Sequence, residues 1–413
     1  MTFRFMLLLL ALLPLSPLRA FAMQQEQAKE LCSSMQKHQD SNAGLIASYP
    51  SLPDDERSKA LKDVAFVYDN ALASMAFLAC GDLESAKRIG DGLITAQDHD
   101  RHYSDGRLRN AYRSGAMSTP VNLAGWWDEK SARWQEDAYQ ASTAVGNMAW
   151  AALSQLHLYT ATGDDRYLQS AKSMARFVSQ FDTGNGVAGG FAGFEPSPSR
   201  VPWKSTEHNI DVAALGSWLT EIDQDPQWKR LRCSSRDFVL SMYRPGKGFL
   251  IGTTSNDIPN LSAGTYLDVQ LWPFLAIDPH ELPAWKDVRS IIDSRNAVAN
   301  GYDFNDDRDG VWMEGSAQAA LLFTTFGDHG KAEKLLHTIM TNRDPSTGLI
   351  LATDRPQIST KLTVGADGSG GDFNYYRWPH LGATAWTVLA MMDFNPFVDQ
   401  RGRHAVRDRK QCS

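Results

Sequence analysis

Residues 142–181 have the sequence STAVGNMAWAALSQLHLYTATGDDRYLQSAKSMARFVSQF, and this stretch decides the fold. Residues 142–162 are dominated by small and apolar side chains, which is typical of a helix buried on most sides. The Gly-Asp-Asp segment at 163–165 predicts a short turn, because glycine ends helices and aspartate caps them. Residues 166–181 show one polar and one apolar face at helical spacing. The stretch therefore predicts a hairpin of a buried inner helix and an amphipathic outer helix.

The same pattern recurs along the chain, although no sequence consensus repeats with it. Predicted inner and outer helices lie at 68–79 and 83–97, 142–162 and 166–181, 206–222 and 226–243, 265–277 and 284–295, and 312–326 and 330–342. A sixth inner helix is predicted at 380–392, with the amphipathic segment 24–48 as its outer partner. Six inner helices ringed by six outer ones make an all-α (α/α)6 toroid. A helical-repeat solenoid is the alternative, and the missing consensus counts against it.

The N-terminus has the pattern of a secretory signal peptide. Arg4 precedes an apolar run at 5–15, and an A-x-A site follows at 20–22. We predict cleavage after Ala22, so that residues 23–413 form a single domain in the periplasm or outside the cell. Four cysteines permit disulfides in such an oxidising compartment, although their spacing fixes no pairing. These cysteines are Cys32, Cys80, Cys233 and Cys412.

Charge and motifs exclude several classes of partner and cofactor. The formal charge of −7 becomes −9 without Arg4 and Arg19, which disfavours nucleic acid and acidic membrane surfaces. The 10 histidines show no H-x-x-x-H or H-E-x-x-H spacing, so we predict no metal and no cofactor. Residues 303–310 (DFNDDRDG) lack the terminal glutamate of an EF-hand loop, and we interpret them as a polar turn. We expect a monomer without stable membrane insertion after cleavage.

The predicted connections differ between the two ends of the inner helices. Turns from an inner helix to its outer partner are short, whereas the returns at 98–141, 182–205, 244–264, 296–311 and 343–379 are long. Long structured loops usually carry function. All of these loops lead into the N-terminal ends of inner helices. One face of the toroid is therefore predicted to carry a cleft built by loops, with the first turns of the inner helices as its floor.

Carboxylates gather at those predicted helix starts. Residues 203–211 (WKSTEHNID) place Glu207 in a first turn if Ser205 or Thr206 is the N-cap, and the helix dipole alone favours an acid there. Capping does not require several acids beneath one cavity. Clustered acids raise one another's pKa and separate into the acid and base of glycoside chemistry. The candidate catalytic residues are Glu207, Glu314, Asp268 and Asp137.

Aromatic residues are concentrated in the same loops, and aromatic faces suit pyranose rings. Large aromatics also fill protein cores, but the runs at 125–127 (GWW) and 375–378 (YYRW) stand in loops, where core packing is a weaker explanation. We therefore predict that the cleft binds a polysaccharide or oligosaccharide. The candidate substrate-binding residues are Asp69, His208, Asn209, Asp211, Trp127, Trp203, Trp312, Gln318, Tyr375, Tyr376, Arg377 and His380.

In this architecture and in two local stretches, 205–211 (STEHNID) and 311–318 (VWMEGSAQ), the chain resembles the six-hairpin glycosidase superfamily of bacterial (α/α)6 hydrolases and relatives. The resemblance spans most of the chain after residue 22 and identifies no single family. It implies a periplasmic or secreted glycoside hydrolase. By this resemblance Glu207 is the general acid, and Glu314 or Asp268 is the base that activates water.

Two other functions stay open at this stage. A polysaccharide lyase or uronate epimerase would use a tyrosine or histidine base and would neutralise the uronate carboxylate. Tyr375, Arg377 and the basic loop 107–113 offer such groups. A non-catalytic glycan-binding component of an export system is the other alternative. A hydrolase is distinguished from a lyase by products that are heavier by one water.

Overall fold

The computed structural model describes residues 17–363, 371–402 and 412. Helices dominate this part of the chain, and the strands are short. The helices are α1 Pro17–Gln36, α2 Val67–Cys80, α3 Leu83–Asp98, α4 Ala138–Ala141, α5 Val145–Thr162, α6 Asp165–Ser179, α7 Thr206–Asp223, α8 Pro226–Met242, α9 Leu267–Leu271, α10 Pro273–Ala276, α11 Trp285–Arg295, α12 Met313–Thr325, α13 His329–Thr341 and α14 Leu381–Met391.

Among the described residues, the strands lie in the loops and pair in small antiparallel sheets. Six sheets have two strands (β1 with β4, β2 with β3, β5 with β6, β10 with β11, β12 with β13 and β14 with β15), and β7, β8 and β9 form a sheet of three. The strands are β1 Gly44–Leu45, β2 Val64–Phe66, β3 Ala111–Arg113, β4 Gly115–Ala116, β5 Trp126–Asp128, β6 Arg133–Gln135, β7 Thr143–Ala144, β8 Gly190–Ala192, β9 Ser199–Val201, β10 Tyr243–Arg244, β11 Gly248–Phe249, β12 Ala297–Val298, β13 Gly301–Tyr302, β14 Gln357–Thr363 and β15 Asp372–Tyr376.

The helices form the predicted (α/α)6 toroid. The inner members are α2, α5, α7, the pair α9 and α10, α12, and α14, and every residue of α14 is buried. The last inner helix packs against the first, which closes the ring, and α1 packs on α14 as its outer partner. Outer helices such as α6 have one buried and one wet face. The prediction of an all-α toroid with its long loops on one face is confirmed.

The short turns follow the predicted glycine and aspartate chemistry. Gly81 and Gly163 adopt left-handed backbone conformations, with φ of 82° and 71°, at the ends of α2 and α5. A backbone with φ in this range favours glycine, because other residues would place a Cβ against the preceding carbonyl. Asp82 and Asp164 then cap α3 and α6 by accepting hydrogen bonds from backbone N–H groups. These turns explain why the hairpins were predictable at the level of single residues.

Two predicted helices differ from the structure. The segment 24–48 is helical only to Gln36; further along, Gly44 joins β1, where an added Cβ would lie 2.1 Å from the carbonyl oxygen of Gly115. The predicted helix 265–277 is split into α9 and α10 at Trp272, because Pro273 has no N–H to continue the helix. The inner-helix order is unaffected by either difference.

The N-terminal signal stays a prediction. Residues 1–16 lie outside the described part, and α1 runs from Pro17 through the expected cleavage point at Ala22. Among the described residues, no helix combines the length and apolar character that crossing a membrane requires. Two disulfides resolve the pairing that the sequence left open. Cys32–Cys80 joins α1 to the end of α2, and Cys233–Cys412 joins α8 to the C-terminal segment.

Candidate active site

Three carboxylates from three inner helices form what we call the carboxylate cluster, namely Glu207, Asp268 and Glu314. Each lies in the first turn of its helix, α7, α9 and α12, on the face where the long loops gather. Asp268 and Glu314 are almost fully buried, while Glu207 is partly exposed. The helix α9 packs against both α7 and α12, and the charges of Asp268 and Glu314 contribute to the raised pKa of Glu207, so the three carboxyl groups lie near one another.

The cluster separates the pKa values of its members. Burial, followed by the charges of Asp268 and Glu314, raises the pKa of Glu207 well above its usual value. Burial raises the pKa of Asp268 to about 6, opposed by hydrogen bonds from backbone N–H groups. Burial also raises the pKa of Glu314 to about 7. The surroundings therefore favour the protonated form of Glu207, while the pKa of Asp268 stays below that of Glu314.

Glu314 is held by a tyrosine that the sequence analysis did not select. The hydroxyl of Tyr68 donates a hydrogen bond of 2.6 Å to Oε1 of Glu314. The same hydroxyl accepts one of 2.9 Å from the indole N–H of Trp386 on α14. Tyr68 immediately precedes Asp69 at the start of an inner helix, and that position is the signal that could have identified it. Trp386 lies in the middle of α14, where the sequence shows only a buried helix.

His380 lies between two acids at the start of α14. Its Nε2 is 3.4 Å from Oδ2 of Asp69, and its Nδ1 is 3.7 Å from Oε2 of Glu314. Burial opposes protonation of His380, but the charges of Asp69 and Glu314 outweigh burial and raise its pKa. Tyr49, which the sequence analysis also missed, stacks on the imidazole with ring centroids 4.7 Å apart.

A glycine allows this close packing of acids. An added Cβ at Gly382 would lie 2.6 Å from Oδ1 of Asp69 and 3.1 Å from Oε2 of Glu314. Any larger residue would push the two carboxylates away from His380. The start of α14 therefore combines a histidine and a glycine that together bring Asp69 and Glu314 against one imidazole.

A second layer of polar groups lies one helical turn below the carboxylate cluster. Asp211 follows Glu207 by four residues and Gln318 follows Glu314 by four, so each pair shares a helix face. Both side chains are fully buried; the Trp150 indole is the polar neighbour of Asp211, and Gln318 has no hydrogen-bond partner among the described residues. Burial, then the charges of Glu207 and Asp268, raises the pKa of Asp211 well above its usual value. Asp211 is therefore a neutral carboxyl beneath the cluster.

The two residues after Glu207 have structural contacts. His208 packs on Gly146, where an added Cβ would lie 2.4 Å from its Cδ2, and burial lowers the pKa of His208 to about 4. Asn209 is fully buried and uses its amide to bond both backbone groups of Val187 and the carbonyl of Ser205. Asn209 thus fixes the loop before α7 and has little capacity left for a substrate.

Aromatic candidates divide between the core and the loop face. Trp312 is buried and packs on Phe304 and Tyr375. Tyr375 also contacts His380, with ring centroids 5.9 Å apart, and so borders the carboxylate cluster. Trp203 lies over His208 at 6.0 Å. Trp127 is half exposed on the loop face.

The candidates Tyr376, Arg377 and Asp137 have their contacts outside the three carboxylates of the cluster. Tyr376 stacks on Trp378, and Arg377 is exposed and lines a separate surface groove of about 460 Å³ with Asp344. Asp137 is the N-cap of α4, where its Oδ1 accepts a hydrogen bond of 3.0 Å from the N–H of Gln140. The sequence pattern could not separate such a capping role from a catalytic one.

The polar turn at 303–310 brings three acids together. Carboxylate oxygens of Asp303, Asp307 and Asp309 lie within 4.8 Å of one another. Both oxygens of Asp303 accept backbone N–H groups, from Phe304 and from Asp309, as in the polar turn that we predicted. Burial and the neighbouring Asp307 raise the pKa of Asp303 to about 8.

Comparisons with known proteins agree with this architecture. No family model matches the chain, and no curated protein matches it. Among solved structures, a glycosidase is similar over 92% of this chain and 99% of its own, with a TM-score of 0.61 and 13% identity, and a variant described as a complex with glucose has a TM-score of 0.59.

Two further solved structures are sugar epimerases or isomerases. A D-mannose isomerase covers 92% of this chain and 98% of its own, with a TM-score of 0.62 and 10% identity. The cellobiose 2-epimerase of Bacillus thermoamylovorans B4167 covers 90% and 99%, with a TM-score of 0.63 and 11% identity. At these identities the likeness establishes the fold. The chain therefore has the (α/α)6 toroid fold that it shares with these glycosidase, isomerase and epimerase structures.

Proposed function

We propose that this protein is a glycoside hydrolase in which Glu207 is the general acid and Asp268 is the general base. The observation that carries this proposal is the convergence of three carboxylates from three separate inner helices. Their surroundings hold Glu207 protonated and leave Asp268 as the most acidic member. Two carboxyl groups with separated pKa values are the arrangement that glycoside hydrolysis uses.

Each member of the cluster has a role in this mechanism. Glu207 gives its proton to the glycosidic oxygen as the bond to the anomeric carbon breaks. Asp268 takes a proton from the water that attacks that carbon. Glu314, oriented by Tyr68, faces the same space and stabilises the positive charge that develops on the sugar ring. One water is consumed in total, because the leaving group gains a proton and the anomeric carbon gains a hydroxyl.

The charges around the cluster favour a neutral sugar as the substrate. Among the described residues, no lysine or arginine forms an ion pair with Glu207, Asp268 or Glu314, and the ionisable neighbour of Glu314 is His380, whose Nδ1 accepts the N–H of Ala383. A uronate would bring another carboxylate into this negative site without a cation to balance it. This observation disfavours the lyase and uronate epimerase alternatives. The glucose complex of the similar glycosidase is in keeping with a neutral hexose.

A sugar epimerase or isomerase is the second candidate, and His380 is the observation that favours it. An imidazole between Asp69 and Glu314 is suited to moving a proton to and from a carbon next to a carbonyl. Two of the similar structures are named as a D-mannose isomerase and a cellobiose 2-epimerase. The partial exposure of Glu207 beside two buried acids favours the hydrolase, because an epimerase does not need to protonate a leaving group.

Product analysis tests the proposal and separates the alternatives. The protein is incubated with neutral oligosaccharides in ordinary water and in deuterium oxide, and products are followed by mass spectrometry. A hydrolase gives shorter sugars whose summed mass exceeds the substrate by one water. An epimerase or isomerase gives no shorter sugars and incorporates deuterium at carbon. Deuterium uptake without cleavage would overturn the hydrolase, and products absorbing in the ultraviolet would show a lyase.

We also propose that the mature protein, residues 23–413, acts as a single-domain monomer in the periplasm or outside the cell. The signal pattern at 4–22 and the two disulfides support this compartment, because disulfides persist in oxidising environments. Expression of the full chain in a bacterial host, followed by fractionation and N-terminal sequencing, tests it. A mature N-terminus at Met23 in the periplasmic fraction is expected, and an intact Met1 chain in the cytoplasm would contradict it.

A further inference from the structure

Two tryptophans stand side by side on a hairpin of the loop face. Trp127 on β5 and Trp134 on β6 are direct cross-strand partners, so both side chains leave the same face of the hairpin. Their exposed fractions are 49% and 53%. An exposed pair of the largest apolar side chains is costly in water unless something covers it.

The hairpin is held rigidly enough to present a surface. Asp128 accepts hydrogen bonds from the N–H and hydroxyl of Ser131 across the turn. The indole of Trp134 lies over Gly125, where an added Cβ would be 2.5 Å from Nε1. At the base of the hairpin, Glu136 forms two hydrogen bonds of 2.6 Å with the Arg101 guanidinium. These contacts hold the hairpin backbone and the ring of Trp134.

The hairpin is continuous with the carboxylate cluster. Five residues after Trp134 the chain reaches Tyr139, which is 37% exposed. The chain then continues through α4 and β7 into α5, where Gly146 packs on His208, the residue after Glu207. Burial and the charge of Glu207 raise the pKa of Tyr139 to about 12, in keeping with this position. An extended segment of five residues spans at most about 18 Å, the length of a few sugar rings. A glycan in the site can therefore reach the hairpin.

We propose that Trp127 and Trp134 form a stacking surface for the outer sugar rings of a neutral oligosaccharide whose scissile bond lies at the carboxylate cluster. This rests on the proposed function only for the location of the scissile bond. Pyranose rings present apolar C–H faces that cover aromatic rings, and the negative cluster requires a neutral chain. The pair then selects substrates by length, because only a chain long enough to extend from the cluster to the hairpin gains these contacts.

Calorimetric titration with sugars of two lengths tests this inference. The Glu207→Gln protein, which binds without turnover, is titrated with maltohexaose, cellohexaose and mannohexaose and with the matching disaccharides. Two double variants, which combine Glu207→Gln with either Trp127→Ala or Trp134→Ala, are titrated in the same way. For the hexaose that binds, each is expected to weaken affinity about tenfold, with the disaccharide affinity unchanged. Phe326→Ala, an exposed aromatic at the opposite end of α12, is the control and leaves both affinities unchanged.

The outcomes separate this inference from the proposed function. Hexaose affinity that survives both alanine variants would overturn the stacking surface, as would equal losses for hexaose and disaccharide. Failure of all three hexaoses to bind would overturn it too. Hexaose binding that depends on both tryptophans, in a wild-type protein that cleaves nothing, would keep the surface and overturn the hydrolase.

Discussion

The hydroxyl of Tyr68 donates its proton to Glu314 across 2.6 Å, and the direction of this hydrogen bond is fixed by a third residue. The Trp386 indole can only donate, so at 2.9 Å it occupies a lone pair of the tyrosine oxygen. The single hydroxyl proton is then committed to Glu314. This bond favours the ionised form of Glu314 and opposes the effect of burial on its pKa.

Replacing Tyr68 with phenylalanine removes that bond and leaves the ring in place. The pKa of Glu314, about 7 in the native protein, is expected to rise further, so more of it is neutral at pH 7. We expect kcat at pH 7 to fall about tenfold or more, the size of one hydrogen bond to a charged group, with little change in KM. The deficit shrinks as pH rises and Glu314 ionises. A deficit independent of pH, measured from pH 5 to 9, would contradict this role.

Glu207→Gln removes the proton that the leaving group needs. Turnover of an unactivated oligosaccharide is expected to fall by a factor of at least about 100, while the melting temperature stays near that of the native protein. Aryl glycosides with acidic phenols need little protonation, so their cleavage is expected to fall much less. Equal losses on both kinds of substrate would assign Glu207 a role other than general acid.

Asp268→Asn tests the base through the pH dependence of kcat/KM. Asp268 must be ionised to accept a proton, and burial raises its pKa to about 6, so native activity is expected to decline below that pH. The variant is expected to lose activity by a factor of about 100 or more. Its residual activity lacks the decline near pH 6. If the variant keeps an inflection near pH 6, that inflection belongs to a group other than Asp268.

Much of the fold was predictable because its short turns are determined by local residue types. Gly81 with Asp82 and Gly163 with Asp164 end one helix and begin the next through positive φ and side-chain caps, which need no tertiary context. The loop-face location of Glu207 followed from the hairpin order alone. Pro273 is a helix-breaking signal in the sequence, but the apolar run around it favoured the prediction of one continuous helix, and the structure has two.

The partners of the candidate site were not predictable, because they depend on contacts between distant segments. Tyr68 and Glu314 are 246 residues apart, and Trp386 reaches Tyr68 from 318 residues away. Asp137 and Glu207 look alike in sequence, since both are acids at helix starts. Only the structure shows that Asp137 is the N-cap of a four-residue helix.

Asp211→Asn is expected to stabilise the protein above neutral pH. The folded-state pKa of Asp211 is raised well above its usual value by burial and by Glu207 and Asp268. Between the two pKa values the unfolded chain releases a proton that the folded chain keeps, so the native protein loses stability as pH rises. Asparagine carries no such proton. The melting temperature of the variant relative to the native protein is expected to increase from pH 4 to 9, and a constant difference would contradict a neutral Asp211.

Arg109 joins two of the long loops, the one after α3 and the one before α7. Its side chain is fully buried and forms two hydrogen bonds with Asp100, of 2.6 and 2.9 Å, and one of 2.8 Å with Glu195. Asp100 belongs to the loop after α3, and Glu195 belongs to the loop before α7. Burial opposes ionisation of both acids, but hydrogen bonds from Arg101 and Arg109 lower the pKa of Glu195 to about 2, and Arg109 also helps to lower that of Asp100.

Arg109→Gln leaves Asp100 buried without its cation and is expected to reduce the free energy of unfolding by about 3–5 kcal/mol at pH 7. The exposed pair of Arg166 and Asp164 offers the matched control, and Arg166→Gln is expected to change stability by no more than about 1 kcal/mol.

In the native protein the folded pKa of Asp100 is lowered, so the stability from the pair of Arg109 and Asp100 is present above the unfolded pKa and is lost as pH falls through the folded one. The penalty of Arg109→Gln is therefore expected to shrink in acid, where Asp100 becomes neutral. Denaturant unfolding at pH 7 and pH 3 measures this, and a penalty as large at pH 3 as at pH 7 would show that Arg109 acts through packing rather than charge.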